Sequence, residues 1–215
     1  MRGTARNRIR IAGPALAAVL AGCAAAPPSG PQAIPPQTAG RADLVAELNA
    51  ARTDPVGYAH KARALRARFR GDRIERPGEI AILTREGPAA VDEAIAFLER
   101  QAPLPAVRAG SGPARSAAAH AADQTRTGGV GHIGGDGSTP ADRMRREGRW
   151  SATGEAIAYG PDRAEDVILQ LIVDDGVPDR GHRRILFNPA YTLVGAACAP
   201  HPVWRTVCVL DFARP

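Results

Sequence analysis

Two runs close this chain, and they limit its fold more than any other stretch. TLVGAAC (Thr192 to Cys198) and WRTVCVLDF (Trp204 to Phe212) are rich in β-branched and small apolar residues, and they flank the turn APHPV. Such runs around a proline-containing turn predict an antiparallel hairpin. Most of the helical periodicity lies ahead of them, so helices gather at the front of the chain and strands at the back. That order favours an α/β fold in which helices pack on both faces of a small, mainly antiparallel sheet.

The helices are read from spacing and punctuation. Residues 42–52 place Leu44, Val45 and Leu48 on one face. Asp54 followed by Pro55 is an N-cap with proline at the first helical position, opening a second helix through Tyr58, Leu65 and Phe69. Gly71 to Gly87 is a turn-rich excursion with one short strand, EIAIL. A further amphipathic helix spans Pro88 to Arg100, and an alanine-rich one starts after Ser111. Beyond it, Ser138 is the expected cap of TPADRMRREG, GEAIAYG is a strand, Asp162 is the expected cap of DVILQLIVDD, and GHRRILF is a short helical turn.

The N-terminal end is a targeting segment. MRGTARNRIR carries four arginines and no acid, and IAGPALAAVLAG is too short to span a bilayer as a permanent helix. The tetrapeptide ending at Cys23, LAGC, resembles the lipobox of bacterial lipoproteins, in which the cysteine is acylated and becomes the mature N-terminus. Residues 1–22 are then a lipoprotein signal peptide, 23–40 an acylated cysteine with a Pro/Ala-rich tether, and 41–215 one domain. Loss of residues 1–22 lowers the formal charge from +6 to +2. The remaining arginines are interspersed with acids and aromatics make up 4% of the chain, which argues against a nucleic-acid groove. The expected location is the cell envelope, with the membrane as partner through the lipid. In a two-membrane host, Ala24 rather than aspartate after the cysteine resembles the outer-membrane default, facing the periplasm. In a single-membrane host the domain would face outside.

With Cys23 acylated, Cys198 and Cys208 remain, on strands expected to be neighbours. A disulfide in an oxidising compartment is the favoured reading, and two small buried hydrophobes the alternative.

Of five histidines, His60 reads as surface, His201 as a turn residue without a partner, and His120 as a packed helical residue bonded to backbone. His132 and His182 differ. Each lies just beyond an element and follows a glycine, Gly131 or Gly181. Glu155 starts a strand between them, and Asp174 and Asp175 end a helix. Two imidazoles and two carboxylates from such positions can converge on a small cleft. The histidines would bind Zn²⁺ or another divalent ion, with water and a carboxylate completing the shell; the same groups would equally hold a water poised for general-base attack.

The series AAAHAADQ, GHIGGDGSTPADRM, GEAIAYG and GHRRILFNPAYTLVGAAC resembles the CAP domain, also called the SCP domain. That superfamily contains cysteine-rich secretory proteins, insect-venom allergens, plant pathogenesis-related proteins and many bacterial exported proteins. The likeness runs in order over residues 41–212. It implies a three-layer α–β–α sandwich with a central tetrad of two histidines and two acids, here His132, Glu155, His182 and Asp174 (or Asp175). Several members bind Zn²⁺ or another divalent ion there, which makes His132 and His182 the metal ligands. Two departures stand out. The family's G-E-N is GEA, so Ala156 lacks an amide, and the second acid is an aspartate, one methylene shorter than glutamate. Arg183 and Asn188 read as scaffold.

The resulting expectation is an exported, membrane-anchored binding or envelope-interaction module for a lipid, small molecule or envelope protein. The alternative is a metal-dependent, peptidase-like hydrolase using the His/acid cleft. Neither a G-x-S-x-G elbow nor an H-E-x-x-H helix is present, and Ser138 is better explained as a cap than as a nucleophile.

Overall fold

Side-chain alternation along the last strand sets the layers. The structure, a computed structural model, describes residues 40–215, so the signal peptide, Cys23 and nearly all of the tether lie outside the described residues. Strand β7 (Arg205–Arg214) is central and pairs antiparallel with β6 (Leu193–His201) on one side and with β5 (Ala152–Tyr159) on the other. A two-residue strand, β4 (Arg108–Ala109), adds parallel to β6 and completes the order β4-β6-β7-β5.

Cys208, Leu210 and Phe212 point from β7 to one face, joined by Ala156 and Ala158 of β5 and by Val194 and Ala196 of β6. That face belongs to one large apolar cluster. It also takes in Leu44 and Leu48 of α1 (Arg41–Thr53), Tyr58 and Ala62 of α2 (Pro55–Arg66) and Val91 and Leu98 of α3 (Pro88–Arg100). Ile168, Leu171 and Ile172 of α6 (Ala164–Val173) and Leu186 of α7 (Gly181–Leu186) complete it. Arg52 is buried at the end of α1, where its guanidinium donates to the carbonyls of Pro105, Leu186 and Asn188 and ties α1 to the segment after α7.

The opposite face carries Val207 and Val209 of β7 and Ile157 of β5, covered by Ala117 and Ala121 of α4 (Ser111–Thr127). Alanine favours the helix and keeps it thin, and Gly128 at φ 69° ends it in the left-handed conformation. The approach is close at Gly195 on β6. A Cβ there would stand 1.9 Å from the Ala114 amide nitrogen, so glycine is what lets the first turn of α4 lie on the sheet. A short helix, α5 (Pro140–Glu147), packs beside α4 and the start of β5. The result is the expected three-layer sandwich with a small mixed, mainly antiparallel sheet.

Several local expectations change. Thr139, not Ser138, caps α5: its hydroxyl accepts from the Asp142 amide and Asp142 returns a bond to the Thr139 amide, a reciprocal box. Arg163, not Asp162, precedes α6, and Asp162 instead faces Arg205. Phe69 lies beyond α2 in a three-stranded antiparallel patch of two-residue strands, β1 (Phe69–Arg70), β2 (Arg73–Ile74) and β3 (Ile82–Leu83). His201 has partners after all: its Nδ1 accepts from the amides of Val203 and Trp204, which closes the hairpin turn and extends β6 past Pro200. Cys198 and Cys208 are direct partners across that hairpin, with Cα atoms 4.1 Å apart, and form the disulfide.

Candidate functional site

The segment from Gly128 to Thr139 contains six glycines, yet its backbone is held at nearly every turn. Gly131 donates to the Tyr159 hydroxyl, and its carbonyl accepts from Gln124 and meets His120 Nε2 at 2.9 Å. Tyr159 in turn donates to Gln124 Oε1. Gly135 donates to Asp123, Gly134 to the Ser138 carbonyl, and the Gly129 carbonyl meets His201 Nε2. Gly131 sits at φ 88° and Gly137 at φ 80°, angles that side chains resist.

This loop delivers His132 to Glu155. His132 Nδ1–H donates to Glu155 Oε1 at 2.8 Å. Glu155 is buried on β5 and its other oxygen accepts from Arg143 of α5 at 2.6 Å. Arg143 is buried too, and also donates to the carbonyls of His132 and Ser138. Burial alone would raise the Glu155 carboxyl, but the bonds from His132 and Arg143 outweigh it and hold the group below its usual range.

The second histidine is delivered from the other side. Helix α6 ends at Asp174 in a left-handed conformation, φ 56°, which aspartate tolerates better than most residues. Its carboxylate accepts from the His182 backbone amide at 2.9 Å and from His182 Nδ1 at 2.6 Å. Arg180 braces the turn by donating to the Asp174 carbonyl and pairing with Glu86 and Glu93. The Arg180 guanidinium and the Gly176 amide pull Glu86 down to about 2. Asp175 faces away, accepting from the amides of Arg85 and Glu86 at 2.7 and 2.8 Å. Asp174 is therefore the acid beside His182, and the excursion that carries β1 to β3 is pinned next to it.

The two imidazoles lie with ring centroids 6.2 Å apart. Both Nδ1 atoms are committed to carboxylates, so the free position on each ring is Nε2, for which no hydrogen-bond partner exists among the described residues. A carboxylate behind a ligating imidazole fixes its tautomer and raises its basicity. The donor set thus fits a divalent ion held by His132 and His182. Glu155 and Asp174 are engaged with the Nδ1 side of those rings. Among the described residues no group of three or more His, Cys, Asp or Glu is placed to hold a metal.

Arg183 and Asn188 are in scaffold positions. Arg183 donates to the carbonyls at the end of α6 and to Glu93, and Asn188 accepts from the Ala190 amide. Two residues of the site went unread in the sequence: Arg143, lost within a cationic helix, and Asp211, which lies beside Glu155 on β7. Asp211 had a signal, since it shares the inward register of Val207 and Val209.

A three-layer α/β sandwich carrying two acid-backed histidines side by side defines the class of this domain. The Cysteine-rich secretory protein family model, CAP, matches residues 45–212, and the chain belongs to that family. Among solved structures, the chain is similar to an extracellular protein containing an SCP domain from Bacillus anthracis str. Ames (19% identity, TM-score 0.44, 60% of this chain and 38% of that one). It is also similar to an outer surface protein from Borrelia burgdorferi (18% identity, TM-score 0.46, 67% of this chain and 98% of that one). The chain thus spans well under half the length of the Bacillus protein. A comparison with curated proteins returns no match.

Proposed function

We propose that this protein is a lipid-anchored binding module of the cell envelope, in which the His132/His182 cleft takes a small-molecule, lipid or envelope-protein ligand with the help of a divalent ion such as Zn²⁺. The observation that carries the reading is the pair of free Nε2 positions on acid-backed imidazoles 6.2 Å apart. His132 and His182 would hold the ion, and the ion would supply an electrophilic anchor for a polar ligand group. Glu155 and Asp174 keep the proton on each Nδ1 and so keep each Nε2 lone pair available. With two protein ligands the ion is held weakly and remains open to exchange. Anchoring rests on LAGC at Cys23 and on the unpatterned tether behind it.

The test of the site is metal analysis of protein purified without chelator, beside a His132→Ala/His182→Ala double variant, followed by zinc titration calorimetry. Wild type should retain metal that the double variant lacks; equal content in the two would overturn the metal reading. For the anchor, Cys23→Ser should move the protein from the membrane fraction to the soluble fraction, and unchanged partitioning would overturn it.

A further inference from the structure

Asp211 sits where a charge is hardest to keep. It is fully buried on β7 and points to the same face as Val207 and Val209. Its cross-strand neighbours are Glu155 on β5 and Gly195 on β6. Ser116 faces it from α4 and Arg143 from α5, while His120 of α4 faces Glu155. Two carboxylates side by side in a dry interior cannot both ionise. Glu155 already receives Nδ1–H from His132 and N–H from Arg143. No donor reaches either oxygen of Asp211 in hydrogen-bond geometry, and Ser116 Oγ and Arg143 Nε are likewise unpartnered among the described residues. The anion is therefore Glu155, and the shared proton belongs on Asp211.

We propose that Asp211 is a positioning residue for the cleft: a neutral buried carboxyl group whose O–H faces Glu155 and holds that carboxylate in the orientation from which it receives His132. The proposal rests on the reading of the cleft as the binding site, but it concerns the protein's own protons and not the ion. The direction of titration agrees. Burial first, and the Glu155 charge second, push Asp211 up to about 8. A cavity of about 190 Å³ between α4 and α5 is lined by Ser116, His120 and Arg143, among others.

Carboxyl ¹³C NMR on the full wild-type chain follows Asp211 directly, and ¹⁵N NMR of His132 reads which ring nitrogen carries the proton. The Asp211 signal should stay in its protonated position through neutral pH. His132 should be the Nδ1–H form in wild type and in Asp211→Asn, whose amide still donates. In Asp211→Ala, Glu155 loses its anchor and His132 should become a mixture of tautomers. An Asp211 signal titrating in the ordinary carboxylate range would overturn the proposal, as would loss of the Nδ1–H form of His132 in Asp211→Asn. If Asp211→Ala does not fold, the wild-type and asparagine measurements decide alone. Absence of zinc binding alongside the expected NMR results would overturn the metal reading and leave this one standing.

Discussion

The two faces of one sheet differ in what they are built from. From β7, Cys208, Leu210 and Phe212 enter a cluster that draws on five helices, whereas Val207 and Val209 on the other face meet only two alanines of α4 before the register reaches Asp211. The first face is closed, apolar and covalently stapled by the disulfide. The second exchanges apolar area for buried ionisable groups, and it carries Glu155 outward to His132. The apolar cluster and the candidate site are thus segregated by the period-two alternation of a single strand.

Substitutions on the two faces should separate these roles. Phe212→Ala empties a fully buried position of the large cluster and should cost about 3–5 kcal/mol in urea unfolding. A loss below about 1 kcal/mol would mean that this face is not the chief source of stability. Gly195→Ala places a methyl against the α4 backbone and should cost about 2–3 kcal/mol, and, unlike Phe212→Ala, should also disturb the His132 NMR signal because α4 carries His120 and Gln124. Replacing both Cys198 and Cys208 by alanine opens a link between residues ten apart and should cost about 2–3 kcal/mol with zinc affinity unchanged.

The smallest effect at acidic pH belongs to Asp211→Asn. A carboxyl raised from 3.8 to about 8 on folding keeps its proton while the unfolded chain releases it. Its contribution is therefore intact below about pH 4 and is lost as pH rises towards about 8. The variant should match wild type below pH 4 and become progressively the more stable of the two above it. Parallel stability curves from pH 4 to 8 would show that Asp211 does not titrate as a buried acid.

Helix positions were legible because proline, glycine and capping residues mark them, as at Asp54–Pro55 and Pro88. The choice between Asp174 and Asp175 was not. Which of two successive acids takes the left-handed angle at a helix end decides which carboxylate turns towards His182 and which towards the Arg85 and Glu86 amides, and periodicity does not register that. Arg143 escaped for a related reason: among the arginines of RMRREGR, composition suggests solvent. Its burial follows from the orientation of α5 against β5, which is set by tertiary packing. His201 looked idle because the bonds it makes run to amides two and three residues ahead and to the remote carbonyl of Gly129.

The anchoring of the glycine loop has a consequence for kinetics. A chain so rich in glycine loses more freedom than most on becoming ordered, and a mobile loop would levy that loss on each ligand as it arrived. Here Tyr159, Gln124, Asp123 and His201 restrain the loop as the domain folds. A ligand of the kind proposed for His132 would then meet a loop already ordered by folding.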